Sequence, residues 1–431
     1  MDIKFSPQQT QAMKAMREWY KSDHRRPFII NGFAGTGKTT IAKHIGDTLG
    51  FDQSKVIYTA FTGKAASQLR KKGCDDATTI HKLLYKPINK GSKKLDDLKE
   101  NLAVLERSDP KHRSEASLAM LRLIKEEQKY LKEASFESAP DEDRINRSKI
   151  IVVDESSMVT EKMVADMAST GLPVIYCGDP FQLPPVKGRS PLGLIKPDIL
   201  LSEVHRQALD SPVLRFATNL REGKWFDYEA RKELNGDQEL SIVPKSMAGY
   251  ELYDSHDQII CASNATRLAM NAKIQRRKII DNIVKPIECL LPDKHICIND
   301  RIIFLANDYE NEIFNGIMGT VSDVKRPDPS DARLDFPHLY WEITGSTEDV
   351  NFQDYLVYNE FITHPKTAER RRTQMVDLAY SITAHKSQGS EWDSVIVHFE
   401  SLRDNNMARW LYSAVTRARL RCTIVVPEEL R

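Results

Sequence analysis

No apolar run in the chain approaches the length of a membrane span, and no charged-then-apolar secretion signal opens it. Charge of one sign is also missing. With 62 basic and 61 acidic residues the formal net charge is +1, so no global basic field marks a nucleic-acid partner. The six cysteines (Cys74, Cys177, Cys261, Cys289, Cys297 and Cys422) form no C-x-x-C pair. Cys289, His295 and Cys297 lie close enough to raise zinc, but no second ligand pair follows. The thiols read as core residues of a reducing compartment. A soluble, cytoplasmic protein without a membrane partner is therefore expected. No internal repeat or low-complexity tract stands out. A hydrophobic content of 41% is ordinary for such a chain, and 431 residues suggests roughly three domains.

What is present is more specific. Gly32-Phe33-Ala34-Gly35-Thr36-Gly37-Lys38-Thr39 completes a G-x-x-x-x-G-K-[ST] phosphate loop. It follows the apolar run Phe28-Ile29-Ile30 and precedes a helix expected from Thr40 to Leu49. Gly32, Gly35 and Gly37 are expected to take left-handed dihedrals that turn N–H groups inward around phosphate oxygens. Gly35, Thr36, Gly37, Lys38, Thr39 and Thr40 are the candidate cradle. Lys38 would reach the β- and γ-phosphates, and the Thr39 hydroxyl would hold Mg²⁺. A nucleoside triphosphate, ATP, with Mg²⁺ is the implied ligand.

Hydrolysis needs a second element. Lys149-Ile150-Ile151-Val152-Val153 reads as a buried parallel strand and ends in Asp154-Glu155. Asp154 is placed to hold the metal and Glu155 to deprotonate the attacking water. A third run, Leu172 to Cys177, ends in Gly178-Asp179-Pro180-Phe181-Gln182-Leu183-Pro184-Pro185. The Gln182 amide, in a proline-stiffened loop at the carboxyl edge of a sheet, can sense a γ-phosphate.

These residues carry a family resemblance. Asp154-Glu155 and the Gly178–Pro185 segment resemble motifs II and III of superfamily 1 helicases. Phe5-Ser6-Pro7-Gln8-Gln9 resembles the Q motif, which implies that Gln9 reads the adenine edge. Ala60-Phe61-Thr62-Gly63-Lys64-Ala65-Ala66 resembles motif Ia, with Phe61 where the family usually has proline. Thr78-Thr79-Ile80-His81 resembles the next DNA-contacting element. Glu203-Val204-His205-Arg206-Gln207 resembles motif IV. Motif V is matched by Thr383-Ala384-His385-Lys386-Ser387-Gln388-Gly389, and motif VI by Tyr412 to Arg419. The Thr-Gly-Lys-Ala-Ala and Thr-Ile-His forms resemble the RecD-like branch, which moves 5′→3′ on single-stranded DNA. The Asn219–Trp225 segment is most similar to the Dda type of helicase of T-even phages, which implies a bacterial or phage-infected cytoplasm.

The resemblance implies two tandem RecA-like α/β domains. Residues 1–85 and 148–205 would form the first and 206–285 with 373–431 the second. The insert 86–147 is charged, with leucines at helical spacing (Leu98, Leu102, Leu105, then Leu118, Leu121, Ile124) and a turn at Ser108-Asp109-Pro110-Lys111. It reads as a helical hairpin, or a solvated spacer, with a possible small duplex-splitting pin near Tyr85-Lys86-Pro87-Ile88. Residues 286–372 break the α/β rhythm. Asn315-Gly316 between two strand-like runs signals a hairpin, and the resemblance implies an SH3-like barrel. Asn264 is the expected N-cap of a helix running to Arg277.

By the same resemblance, Arg206 and Arg417 point across the cleft at the γ-phosphate, where Gln388 and Gly389 also belong. Thr62, Lys64, Thr79, His81, Thr383, His385 and Ser387 are the candidate DNA-backbone contacts. Phe61 and Trp225 are candidates for base stacking. The expected protein is an ATP-driven helicase on single-stranded and forked duplex DNA, a monomeric motor serving replication, recombination or repair. A single-strand-binding or replisome protein is a conceivable partner. Two alternatives stand beside it: a nucleotide-switched binding protein that does not translocate, and a motor subunit of a nuclease complex. RNA remains open as a substrate.

Overall fold

The computed structural model describes residues 5–22, 26–87, 97–98, 101–102, 120, 123–124, 136–185, 188–203, 211–224, 239–285, 296–308, 311, 313–325, 341–359, 374–400 and 406–428. The first half carries β1 (Phe28–Gly32), β2 (Val56–Ala60), β3 (Thr78–Thr79), β4 (Tyr85–Pro87), β5 (Phe136–Ser138), β6 (Ile150–Asp154), β7 (Val174–Gly178) and β8 (Ile199–Leu201). Six of these form one parallel sheet in the order β3-β2-β6-β7-β1-β8. Both faces are covered, which is why the strands read as unbroken apolar runs. Phe28, Ile30, Ile150 and Val152 face the core beneath the helix Pro7–Lys21, while Ile29, Ile151 and Val153 face the opposite core with Leu83 and Met163.

The expected helix 40–49 is two pieces. Lys38–Lys43 starts earlier, directly off the loop, and Ile45–Leu49 follows a break at His44. The Lys43 carbonyl accepts the Tyr58 hydroxyl at 3.2 Å, a side chain entering the helical ladder.

The second half carries β9 (Leu240–Pro244), β10 (Gln258–Cys261), β11 (Arg301–Phe304), β12 (Met318–Lys325), β13 (Trp341–Thr347), β14 (Asn351–Asn359), β15 (Gln374–Leu378), β16 (Ser381–Thr383), β17 (Trp392–His398) and β18 (Ala418–Val426). A second parallel sheet runs β16-β10-β17-β18-β9. Strands β11 to β15 close into a five-stranded barrel. Gly316, at φ 91°, makes the expected turn between β11 and β12.

Two boundaries shift. The barrel keeps β15, so the second sheet resumes at Ser381 rather than at 373. The helix Glu142–Arg147 buries Ile145 in the first sheet's core, so the insert ends before it. The ends of the insert are joined by the antiparallel pair β4–β5, with Pro87 opposite Phe136. That is where a small pin was expected. The Ser108–Lys111 turn lies outside the described residues. Of the leucine pattern, Leu98, Leu102 and Ile124 are described and helical.

The helix at 264 also differs in its start. Ser263 is the N-cap, accepting Thr266 N–H at 3.1 Å, and Asn264 is the first helical residue. Glu400 accepts the Ala262 and Ser263 N–H groups, which fixes Ser263 at the cap. Buried polar bonds tie the barrel to the second sheet. Asp300 accepts from Tyr380 Oη at 2.5 Å, Gln275 Nε2 at 2.6 Å and Cys297 N–H at 2.6 Å, and Arg267 pairs with Asp377 at 2.5 Å. The barrel also rests on the first sheet's helix Gly63–Lys71. Phe314 occupies the space where a Cβ on Gly63 would fall, and Lys71 meets Asp349 at 2.7 Å.

Candidate active site

The loop after β1 turns through Gly35 at φ 76° and Gly37 at φ 77°, both dihedrals that favour glycine. Gly32 has no such dihedral, which corrects the expectation. It is needed for space, because a Cβ there would lie 2.7 Å from Thr36 Oγ1 and 3.0 Å from Lys38 Cγ. Lys38 Nζ donates to the Phe33 carbonyl at 2.8 Å and lies 3.9 Å from Asp179 Oδ2. Thr39 and Thr40 are half-buried in the first turn of Lys38–Lys43.

Gln9 is buried, with Nε2 donating to the Thr36 carbonyl at 3.2 Å and Oε1 accepting Ser6 N–H at 2.9 Å. Its neighbour Gln8 accepts the Ser202 and Glu203 N–H groups at 2.9 and 3.0 Å, so the Q-motif segment braces the loop against the chain beyond β8. Nothing in the spacing of residues 5–9 points to this second role.

Asp154 and Glu155 stand at the carboxyl end of β6. Asp154 Oδ1 accepts Glu155 N–H at 2.9 Å, and the Thr39 hydroxyl beside the carboxylate favours its charged form. Burial pushes the Asp154 carboxyl above its ordinary value, opposed by that N–H bond and by the charge of Lys38. Glu155 is raised as well, by burial first and then by Asp154, and it holds the left-handed conformation at φ 51°, ψ 44°. A non-glycine residue kept there is locally strained, and such strain collects at functional sites. The buried Asp154 with the Thr39 hydroxyl beside it, and the half-buried Glu155 next in the chain, fit a divalent cation. Thr39 and Asp154 would hold it, and it would neutralise charge on the phosphates.

The second sheet closes over this edge. The Gln388 amide donates to the Leu183 carbonyl at 3.1 Å, and the Ser413 hydroxyl accepts Leu183 N–H at 2.9 Å. Tyr412 Oη donates to Asp179 Oδ2 at 2.7 Å and accepts Ala34 N–H at 2.9 Å. Leu183 even joins the second sheet's hydrophobic core. Arg417 is buried, donating to the Ser390 carbonyl at 3.2 Å. Gln182 Oε1, Gln388 Oε1 and Arg417 Nε are buried with no hydrogen-bond partner among the described residues. Each such atom costs about 1–3 kcal/mol, so three at one cleft fit a polar ligand that satisfies them. Tyr412, Ser413 and Asp179 stand inside the quoted motifs. Only their hydroxyl and carboxyl chemistry could have singled them out.

Three of the DNA candidates, Thr62, Thr79 and Thr383, stand at or just beyond the carboxyl ends of β2, β3 and β16. Thr62 and Thr79 cap their helices, accepting Ala65 N–H and Lys82 N–H, each at 3.1 Å. Thr383 stands at the start of Ala384–Ser387 and makes no such cap bond. Gly389, grouped with the nucleotide residues in the sequence, packs on Thr62 and Ala65. Lys64 Nζ lies 5.2 Å from the Trp392 ring centroid, and burial lowers its pKa. Burial also lowers His81 and His385, with the Lys162 charge adding to the effect at His81, so both imidazoles are neutral near pH 7. Phe61 meets His81 edge-on at 6.0 Å and packs against the core, leaving part of its ring accessible. Ser387 is a correction. It is fully buried and donates to the Ala384 carbonyl at 2.8 Å, so its hydroxyl holds a turn and meets no exposed surface. Arg206, Trp225, Cys289 and His295 lie outside the described residues. Cys297 is buried against Gln275.

A family model described as an AAA domain matches residues 4–236, just over half of the sequence. The chain belongs to that family. A second model, a UvrD-like helicase C-terminal domain, matches residues 378–425. Among curated relatives, the ATP-dependent RecD2 DNA helicase of Deinococcus radiodurans is 25% identical over 415 residues, covering 91% of this chain and 46% of that protein. The ATP-dependent DNA helicase dda of Enterobacteria phage T4 is 28% identical over 226 residues, 49% of this chain and 40% of that one. The chain thus spans less than half the length of these relatives. In fold it is similar to Bacteroides Pif1 bound to single-stranded DNA, with a TM-score of 0.56, 18% identity and 99% and 95% of the two chains covered. Pif1 helicase from Candida albicans gives a TM-score of 0.54 at 17% identity over 98% and 94%. In its ordered motifs and in these matches the chain is similar to RecD- and Pif1-type helicases of superfamily 1.

Proposed function

We propose that the chain is an ATP-dependent DNA helicase, a motor that moves 5′→3′ along single-stranded DNA and separates the duplex ahead of it. The observation that carries this is the cross-cleft bonding. Tyr412, Ser413 and Gln388 of the second domain bond directly to the phosphate loop and to the segment that carries Gln182. A ligand binding among these groups bears on both domains at once, which is what turns occupancy into relative motion. Glu155 takes the proton of the attacking water, Gln182 senses the terminal phosphate, and Arg417, with Arg206, stabilises the charge that develops there. Gln9 reads the adenine edge while holding Thr36. Thr39 and Asp154 would hold Mg²⁺, which would supply further charge neutralisation.

DNA lies along Thr62, Lys64, Thr79, His81, Thr383 and His385, gripped mainly by its phosphates. Neutral imidazoles and hydroxyls along that track favour a hold that can be released at each step. The five-stranded barrel is an SH3-like insert packed against the first domain. The 5′→3′ direction rests on the RecD-like forms of motif Ia and of the Thr78–His81 element. The chain acts as a monomer in a bacterial or phage-infected cytoplasm, alongside single-strand-binding protein. No helix among the described residues is long and apolar enough to cross a membrane.

The test measures ATP hydrolysis by the isolated chain with and without single-stranded DNA, then unwinding of forks carrying a 5′ or a 3′ tail. Stimulated hydrolysis and unwinding of the 5′-tailed fork are expected. Hydrolysis indifferent to DNA would leave a nucleotide switch, and unwinding only from 3′ tails would reverse the direction.

A further inference from the structure

The last residue of the helix Pro212–Arg221 has no place in the scheme above, yet it touches the phosphate loop. Val213, Phe216, Ala217 and Leu220 bury one face of this helix in the second domain's core, which fixes where Arg221 emerges. Its guanidinium carbon lies 3.7 Å from the centroid of the Phe33 ring. Phe33 is the second residue of the loop. We propose that Arg221 is a third cross-cleft arginine of the nucleotide site, placed by its stack on Phe33 to reach the terminal phosphate of a bound nucleoside triphosphate. This rests on the nucleotide site proposed above.

Two observations give the loop an orientation. Its Thr36 end is held by Gln9, the residue assigned to the base. Its Phe33 end carries the carbonyl that accepts Lys38 Nζ, and the next N–H, that of Ala34, meets Tyr412 beside Asp179. Arg221 therefore stands at the end where Lys38 and the cross-cleft groups gather, away from the base.

Charge supports the same reading. Among the described residues no carboxylate lies within ion-pair distance of Arg221. The adjacent Glu222 is engaged by Lys224 at 2.7 Å. A stack on an aromatic ring uses the face of the guanidinium and leaves its N–H edge for an acceptor. The ring attraction contributes only about 0.5–2 kcal/mol, and charge-assisted bonds to phosphate oxygens are stronger than neutral ones. Phosphate can therefore engage the edge without displacing the stack. The competing account is a brace, in which Arg221 on Phe33 merely joins the domains. A brace would not distinguish a triphosphate from a diphosphate.

That difference is the test. Displacement of a fluorescent nucleotide by ADP and by a non-hydrolysable ATP analogue, each with Mg²⁺, is measured for the full chain and for Arg221→Ala, with circular dichroism to confirm folding. Arg221→Gln, which keeps most of the stem, is measured beside it in case the alanine variant fails to fold. Loss of a charged hydrogen bond predicts about 10- to 100-fold weaker binding of the analogue, with ADP affinity little changed. Arg221→Lys should recover part of the difference, and Phe33→Leu should lose part of it. Equal weakening of both nucleotides, or of neither, overturns the proposal. Lys38→Ala separates this from the site reading. If that variant still hydrolyses ATP, the nucleotide site itself is misassigned. If it does not, while Arg221→Ala keeps the wild-type preference, only the role of Arg221 fails.

Discussion

Tyr412 donates its hydroxyl to Asp179 Oδ2 at 2.7 Å and, through the same oxygen, accepts Ala34 N–H at 2.9 Å. One phenol from the second domain thus joins the segment after β7 to the phosphate loop of the first. Burial, and the charge of Asp179 beside it, push its pKa far above the ordinary tyrosine value, so it remains a proton donor at any working pH. The ring edge against Phe181, at 5.1 Å, holds the phenol in place.

Tyr412→Phe keeps that ring contact and removes only the hydroxyl. Asp179 Oδ2 then loses its phenol donor and Ala34 N–H its acceptor. Buried groups left so cost about 1–3 kcal/mol each. The expected result is a lower Tm and a reduced turnover of DNA-stimulated ATP hydrolysis, since the loop is no longer held to the second domain. Thermal unfolding and steady-state kinetics read the two effects. A lower Tm with unchanged turnover would make the phenol a structural tie alone.

Glu155→Gln keeps the shape of a side chain that the backbone holds at φ 51°, yet cannot take the proton of an attacking water. ATP and DNA affinity should persist while hydrolysis falls about 10²- to 10⁴-fold, the usual contribution of a positioned base. Nucleotide binding and single-turnover hydrolysis check this. A collapse of ATP affinity would mean that the carboxylate serves the fold, and that the base lies elsewhere.

The nucleotide edge was legible because its chemistry is local. The phosphate loop, the Asp154-Glu155 pair and the Gln182 segment each follow an apolar strand run within a few residues. What spacing cannot give is side-chain direction. Ser387 sits inside a motif, but the four-residue helix it ends turns its hydroxyl onto Ala384. Tyr412 and Arg417 share a motif, and only the fold shows that the phenol reaches Ala34. Neighbouring residues of similar chemistry are also hard to separate: Ser263 and Asn264 both cap well, and Glu400, 136 residues beyond Asn264, helps decide between them. The end of the barrel was hidden because only Ala379 and Tyr380 separate β15 from β16.

Asp300 gives a dependence on pH. It is fully buried where the barrel joins the second domain, and burial pushes its carboxyl up to about 6 despite bonds from Tyr380, Cys297 and Gln275. An unfolded aspartate titrates near 3.9. The folded state therefore holds the extra proton between about pH 4 and pH 6, and stability falls as pH rises through that window and levels off above it. At about 1.4 kcal/mol per unit, the full effect is roughly 3 kcal/mol. Asp300→Asn removes this slope, so urea unfolding of the two proteins between pH 4 and 8 should give curves that differ in slope below pH 6 and run parallel above. Parallel curves throughout would place the carboxyl at its ordinary value.

The insert can be tested because its ends are already joined. Pro87 pairs with Phe136 and Tyr85 with Ser138, and Ala139 N–H donates to the Leu84 carbonyl at 3.0 Å. Tyr85 Oη bonds Asp166 at 2.6 Å, which anchors this hairpin to the helix Glu161–Ala168. A short glycine-containing turn can therefore replace residues 88–135 without moving β4 or β5. None of the groups at the nucleotide edge, and none of the DNA candidates, lies in that stretch. Single-strand-stimulated ATP hydrolysis should survive the replacement, while unwinding of a forked duplex should fall, because the removed segment continues from the hairpin beside His81, whose ring lies 5.6 Å from that of Tyr85. Circular dichroism first establishes folding, and the two assays are then run on the same preparation. Unwinding at the wild-type rate would make the insert a passive spacer. Loss of hydrolysis in a folded variant would show instead that it supports the first domain.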